Sequence, residues 1–302
     1  MRTRRIIADT LIYILLAVLC IIWLLPIVWL FLQSFGDYDG AALTGLKKFW
    51  PDKWTFDNYV NLFNNRVLDS TVGVWRVYGD PLNPNPVNFG MTFLNTLIVA
   101  IFSCIISTLL TLFTSYAFSR CRFKSRTLMM RIILILGMFP GFISLIVFYQ
   151  LAKLVGLQEN LIALIIIYSG GAGMGYYVSK GFFDTISKSI DEAAMIDGAN
   201  QVQIFFRIIV PLSKPIIVYT ALLAFMAPWG DFMTASYMYV LHPYNGTVAT
   251  VLNQMIAGVQ NRNTYWQQFC AAAIVIAIPI TALFMFLQKY YVSGVTGGAV
   301  KG

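Results

Sequence analysis

The chain has 302 residues, 58% of them hydrophobic and 11% charged, with a mean hydropathy of +0.71. That balance excludes a pair of ordinary soluble domains and fits a polytopic membrane protein. The net charge of +8 does not indicate nucleic acid, because the basic residues fall in short groups between apolar runs, as in membrane-flanking loops. Cys20, Cys104, Cys121 and Cys270 have no CxxC spacing and read as small hydrophobes. The single histidine, His242, has no nearby His or Cys with which to hold a metal.

Three arginines within Met1–Arg5 precede an apolar run from about Leu11 to Leu32, long enough to cross a hydrocarbon core of about 30 Å. The run exceeds the apolar part of a signal peptide and no small-x-small cleavage site follows, so it reads as a retained first span with a kink at Pro26. Residues 33–88 are polar and punctuated by Gly and Pro, which predicts an extramembrane loop. Its Trp50, Trp54, Tyr59, Phe63 and Trp75 suit an interfacial aromatic belt or a small packed cap.

Five further apolar segments follow, at about 91–118, 128–152, 160–179, 214–240 and 269–288. Six spans put both termini on one side. With the termini cytoplasmic, fourteen of the 21 basic residues lie inside, and the positive-inside rule supports that orientation. The cluster Arg120–Arg126 reads as part of that topology signal. Pro140-Gly141, the run from Gly170 to Gly175, and Pro228 with Gly230 interrupt the third, fourth and fifth spans. Such breaks allow close helix packing or unwound backbone facing a cavity, and close packing is the simpler reading of the glycine run. Asp231, an acid inside a span, is costly enough to point to a pathway role, although a hydrogen-bonded helix break also accounts for it.

Between the fourth and fifth spans the polarity changes. Ser189 and Glu192 have the spacing of a capping box, Gly198 suits a left-handed helix end, and Val202, Phe205, Phe206 and Ile209 recur at helical spacing up to Pro211. A short helix, a turn and a second short amphipathic helix are expected at 180–213, on the cytoplasmic side. No Gly-Lys dipeptide occurs, so the chain has no phosphate-cradling loop, and no serine-hydrolase elbow or His-x-x-x-His pattern is present. No catalytic residue is assigned.

This loop resembles the EAA loop of ABC importer permeases, in which Glu-Ala-Ala is followed by three residues, Gly, nine residues and Ile-x-Leu-Pro. The chain has Glu192-Ala193-Ala194, Gly198 and Ile208-Ile209-Val210-Pro211, with Val210 the one departure. Lys180-Gly181-Phe182-Phe183-Asp184-Thr185 and Asp197-Gly198-Ala199 are similar to the carbohydrate-uptake branch, as is Trp229-Gly230-Asp231-Phe232, with Gly230 in place of Asn. The tail from Gly297 to Gly302 is similar to that of maltose-type permeases without a large inserted periplasmic domain.

The resemblance implies an all-α, six-span permease domain covering 1–302, with 33–88 extracytoplasmic and a coupling helix pair at 180–213, in a bacterial plasma (inner) membrane. It implies a second permease subunit, two ATPase subunits that bind ATP and Mg, and an extracytoplasmic solute-binding protein. No cofactor or metal is expected on this chain itself. Asp191, Glu192, Ala193, Ala194, Asp197, Gly198, Phe205, Phe206 and Pro211 would couple to the ATPase. Trp229, Gly230, Asp231, Tyr168, Tyr176, Tyr177, Asn253 and Gln254 are candidates for a pathway or gate for an oligosaccharide. The alternative expectation is an ion-coupled secondary transporter that uses Asp231.

Overall fold

The computed structural model describes residues 2–37, 49–64, 66–69, 74–77, 88–138, 141–171, 175–240 and 245–299. Pro140, Ala172, Gly173, Met174, His242 and the last three residues lie outside these, as does the side chain of Trp75. The protein is all-α apart from two short antiparallel ladders between residues 36 and 77. It forms two compact units, one of residues 1–89 with 252–277 and one of 90–251 with 278–302.

In the first unit, α1 (Arg2–Ser34) is one continuous helix with Pro26 inside it. Its central residues, from Leu11 to Val28, are exposed around the whole circumference, as suits a helix solvated by lipid rather than water. Its end is held by a small packed cap. Strand β1 (Gly36–Asp37) pairs with β2 (Lys53–Trp54), and α2 (Asp57–Phe63) follows. The buried Asn58 donates its amide to Ser34 O at 3.1 Å and Gly36 O at 3.0 Å. The first of these bonds satisfies a carbonyl that the helix end leaves orphaned, and the second ties in the start of β1. Phe35 lies between Phe31, Phe56 and Tyr59, with ring centroids 4.9–5.1 Å apart. Strands β3 (Arg66–Asp69) and β4 (Val74–Val77) make the second ladder. Tyr59 and Phe63 therefore pack as a cap, whereas Trp50 and Trp54 are exposed as a belt requires.

The second unit is built on α3 (Phe89–Arg120). Thr92, Thr96, Ser103, Ser107, Thr111, Ser115 and Ser119 are all buried, at spacings of four and seven residues that make one stripe. The opposite face, with Ile101, Phe102, Ile105, Leu109 and Phe113, is exposed. Small polar residues inward and large apolar ones outward is the pattern of a helix in lipid, where small side chains permit close packing. Thr96 and Ser103 return their hydroxyls to carbonyls four residues back, at 2.8 and 2.6 Å, so these two donors are satisfied within the helix.

Next come α4 (Arg126–Gly137), α5 (Gly141–Leu154), α6 (Leu161–Gly170), α7 (Gly175–Thr185) and α8 (Lys188–Ile196). Helix α9 (Gln201–Leu212) meets α10 (Lys214–Gly230) at 83°. The chain ends with α11 (Phe232–Met238), α12 (Val248–Ile256) and α13 (Gly258–Ala299). Among the described residues three helices, within α1, α3 and α13, are long and apolar enough to cross a membrane alone. The bent pairs α6–α7 and α9–α10 pass the same test together, and α4 and α5 flank residues 139–140 where the third span was expected.

Candidate coupling site and the cavity beside Asp231

The coupling region starts two residues earlier than the sequence pattern suggested. Ser187, not Ser189, is the N-cap of α8, and its hydroxyl accepts the Ser189 N–H. On the preceding residue Arg120 Nη2 donates to Ile186 O at 2.8 Å and holds the entry of the chain. The reciprocal capping box forms instead at α9. There Asn200 Oδ1 accepts the Gln203 N–H and Gln203 Oε1 accepts the Asn200 N–H, both at 2.9 Å.

Between the two helices Gly198 has φ +85°, a conformation that a side chain resists. Gly198 N–H donates to Met195 O at 3.1 Å and Ala199 N–H to Ala194 O at 2.9 Å, which together make a Schellman end. Helix α9 does not stop at Pro211. Residues Phe205–Ile209 form a π turn, with the Val210 N–H donating to Phe205 O, and the proline sits in the first turn of the segment Val210–Leu212. A missing N–H costs little there, so the widened turn lets the helix continue through a residue expected to break it.

The expected coupling residues divide into two sets. Asp191, Ala194 and Phe205 are buried, and the latter two join Ile204 and Ile209 in a core with Leu112 and Tyr116 of α3, Phe183 of α7 and Ile216 of α10. Glu192, Ala193, Asp197, Gly198, Phe206 and Pro211 are exposed. Phe206, Ile196 at 87% exposure, Met195 and Val202 give the outer side an apolar surface.

Arg120 belongs to this site, although its position in a basic cluster suggested only topology. Its Nε lies 2.9 Å from Asp191 Oδ2, with the two side chains 4% and 10% exposed. Burial raises the Asp191 carboxyl above the ordinary carboxylate value despite the attraction of Arg120, and Glu192 adds to the rise. Ser119 donates to Asp184 at 2.6 Å, and Lys180 pairs with the same carboxylate. Tyr116 donates to Gln201 Oε1 at 2.8 Å. The available signal was the stripe of Ser and Thr at every fourth position, which marks the inward face and reaches Ser119 beside Arg120.

A second feature is a mostly apolar cavity of about 980 Å³, lined by residues of α4, α5, α6, α10 and α11. Tyr168 and Asp231 are the two pathway candidates that it brings together, with Ser144 and Thr234 as further polar groups. Gly170 and Gly171 also line it, and a Cβ at either would meet nothing within 4 Å. Close helix packing is therefore not what these two glycines provide. Asp231 separates α10 from α11 and caps the latter, accepting the Thr234 N–H at 3.1 Å and the Thr234 hydroxyl.

The other pathway candidates lie elsewhere. Trp229 is buried against Phe93 and Phe225, and Gly230 is exposed, with open space where a Cβ would be. Tyr176 and Tyr177 pack ring on ring at 4.5 Å, and both hydroxyls donate to Met130 O. Asn253 and Gln254 are half-buried on α12.

Comparison with known proteins identifies the family of the chain. Residues 107–297 match the family described as binding-protein-dependent transport system inner membrane component. The chain is 34% identical over 303 residues to the galactooligosaccharides transport system permease protein GanQ of Bacillus subtilis (strain 168), covering 100% of this chain and 99% of that one. It is 33% identical to the maltodextrin transport system permease protein MdxG of the same organism, covering 99% of each. Among solved structures, a chain of a bacterial ABC transporter involved in import of the acidic polysaccharide alginate has the same fold, with a TM-score of 0.71 at 24% identity, covering 96% of this chain and 98% of that one. The chain belongs to the family of binding-protein-dependent transport system inner membrane components, the permeases of ATP-binding-cassette importers.

Proposed function

We propose that the protein is one of two permeases in an importer that carries an oligosaccharide or related glycan into a bacterial cell by alternating access, driven by ATP hydrolysis in separate subunits. The observation that carries this reading is the two-sided coupling element. Its inner side is packed into the ends of the spans, while Ile196 and Val202, with the half-exposed Met195 and Phe206 beside them, leave an apolar outer side. An apolar surface on a solvent-side segment fits a groove on another protein.

The whole chain serves as one permease domain. Each bent pair makes one crossing and α4 with α5 makes another, giving six spans with both termini cytoplasmic. ATP and Mg are bound by the two ATPase subunits. The outer loops at 33–88 and about 241–268 meet a solute-binding protein, which delivers the sugar. The names of the relatives make galacto-oligosaccharides and maltodextrins the first substrates to test. The test is uptake into proteoliposomes holding both permeases and the ATPase subunits, with ATP inside and binding protein outside. ATP-dependent uptake is expected. Uptake that persists without the ATPase subunits and follows an ion gradient overturns the reading.

A further inference from the structure

The last two turns of α3 are bonded to every part of the coupling region. Tyr116 reaches α9 through Gln201, Ser119 reaches α7 through Asp184, and Arg120 holds both Ile186 O and Asp191 of α8. The covalent route onward is less direct, because α9 meets α10 at an 83° bend with the single residue Ser213 between them. A push on the coupling region can be absorbed at that bend, whereas the charge-assisted hydrogen bond from Arg120 Nη2 to Ile186 O is directional and resists shear, with the Arg120–Asp191 ion pair adding attraction at the same place.

The opposite end of α3 is bonded in the same manner. Asn95 Nδ2 donates to Asn245 O at 3.0 Å and Gly246 O at 3.2 Å, and Thr96 Oγ1 accepts the Val248 N–H at 2.9 Å. Gly246 is close-packed as well, since a Cβ there would meet Thr250 Oγ1 at 3.2 Å and the Tyr239 ring at 3.3 Å. Between Asn95 and Arg120 the helix is continuous and free of proline, a rod of about 37 Å at 1.5 Å per residue.

We propose that Arg120 is a positioning residue that locks the coupling element to α3, and that α3 carries displacement between that element and the segment 245–248 gripped by Asn95 and Thr96. The proposal rests on the importer reading, in which ATPase subunits act at one end of α3 and a solute-binding protein at the other. Coupling of this kind is reciprocal, so loosening either grip weakens the signal in both directions. A buried ion pair can often be replaced by apolar residues without loss of the fold, so the pair's part in transmission is separable from its part in folding.

The test uses the full complex in nanodiscs and reads the ratio of ATP hydrolysis with sugar-loaded binding protein to hydrolysis without it. Asn95→Ala and the double variant Arg120→Met/Asp191→Leu are expected to keep the ATPase subunits bound, as judged by co-purification, and to lower the ratio at least tenfold. A ratio within twofold of the native complex in either variant overturns the proposal. Loss of the ATPase subunits from the double variant also overturns it, because the pair then serves only to shape the docking surface. A native complex that shows no stimulation by the binding protein instead sinks the importer reading itself, before any variant is compared.

Discussion

The Asp231 carboxylate accepts the backbone N–H of Thr234 at 3.1 Å and also binds the Thr234 hydroxyl, so an acid in an apolar segment serves as the N-cap of α11. Asn caps a helix about as well as Asp, and Ala does not, at a cost of about 1 kcal/mol. Asp231→Asn is expected to retain both thermal stability and ATP-driven uptake within twofold. Asp231→Ala is expected to lower the melting temperature of the purified protein by a few degrees. Loss of uptake in the Asn variant, with stability intact, would show that the charge itself is required and that capping is not its main role.

Gly198 gives a second contrast. At φ +85°, with open space for 4 Å around the position a Cβ would take, the cost of a side chain is conformational rather than steric. An alanine held in the left-handed region costs roughly 1–2 kcal/mol, and asparagine tolerates that region better. Gly198→Ala should therefore speed amide exchange at Gly198 and Ala199, whose N–H groups close the Schellman end, and Gly198→Asn should do so less. Equal protection in all three proteins would mean that the turn does not depend on glycine.

Phe205 and Ile196 lie on opposite sides of the same element. Phe205 is 4% exposed in the core shared with Tyr116 and Ile209, and Ile196 is 87% exposed. Phe205→Ala is expected to cost about 3–5 kcal/mol, seen as a lowered melting temperature. Ile196→Ser should leave melting unchanged and weaken co-purification of the ATPase subunits. If Ile196→Ser melts early, or Phe205→Ala does not, the assignment of inner and outer sides is reversed.

The class, the pair of short helices on either side of Gly198 and the left-handed conformation of that glycine were legible in sequence because each depends on local properties, namely apolar run length, a break in polarity, and a residue type suited to one backbone region. The start of α8 was not, because Ser187 and Ser189 are equally good caps by residue type and the contact that holds the chain beside Ser187 comes from Arg120, 66 residues away from the carbonyl it binds. Pro211 misled for a related reason. Its effect on a regular helix is predictable, but the chain widens into a π turn just before it, with Phe205 and Ile209 of that turn buried in a core that includes distant residues of α3, α7 and α10. Of the pathway candidates, Tyr168 and Asp231 meet at the cavity, and sequence cannot tell a tyrosine lining a cavity from one packed at a tilt against its neighbour, as Tyr176 is against Tyr177.

The Asp191 carboxyl provides a pH test. Burial holds its folded-state value above that in the unfolded chain, even beside Arg120. The folded protein therefore binds the proton more tightly, and this site favours folding more as pH falls from above the raised value toward the ordinary one. Removing the carboxylate alone would leave the buried Arg120 guanidinium without its counter-charge, so the comparison is made with Arg120→Met/Asp191→Asn, which carries neither charge. The native protein is expected to gain melting temperature relative to this double variant as pH is lowered through the raised value. A difference between the two proteins that does not change with pH would mean that the Asp191 carboxyl is not raised.

The cavity can be filled without disturbing what surrounds it. Gly170 ends α6 in helical conformation, lines the cavity, and has open space where a Cβ would be. In such a position leucine is favoured over glycine by somewhat under 1 kcal/mol of helix propensity, so Gly170→Leu should melt no earlier than the native protein. Its side chain would enter a space whose other groups include Tyr168 and Asp231. If sugar passes this cavity, uptake should fall at least tenfold, while co-purification of the ATPase subunits stays unchanged because the coupling region is untouched. Normal uptake in a stable Gly170→Leu protein would take the cavity off the route and leave its two polar candidates with structural roles only.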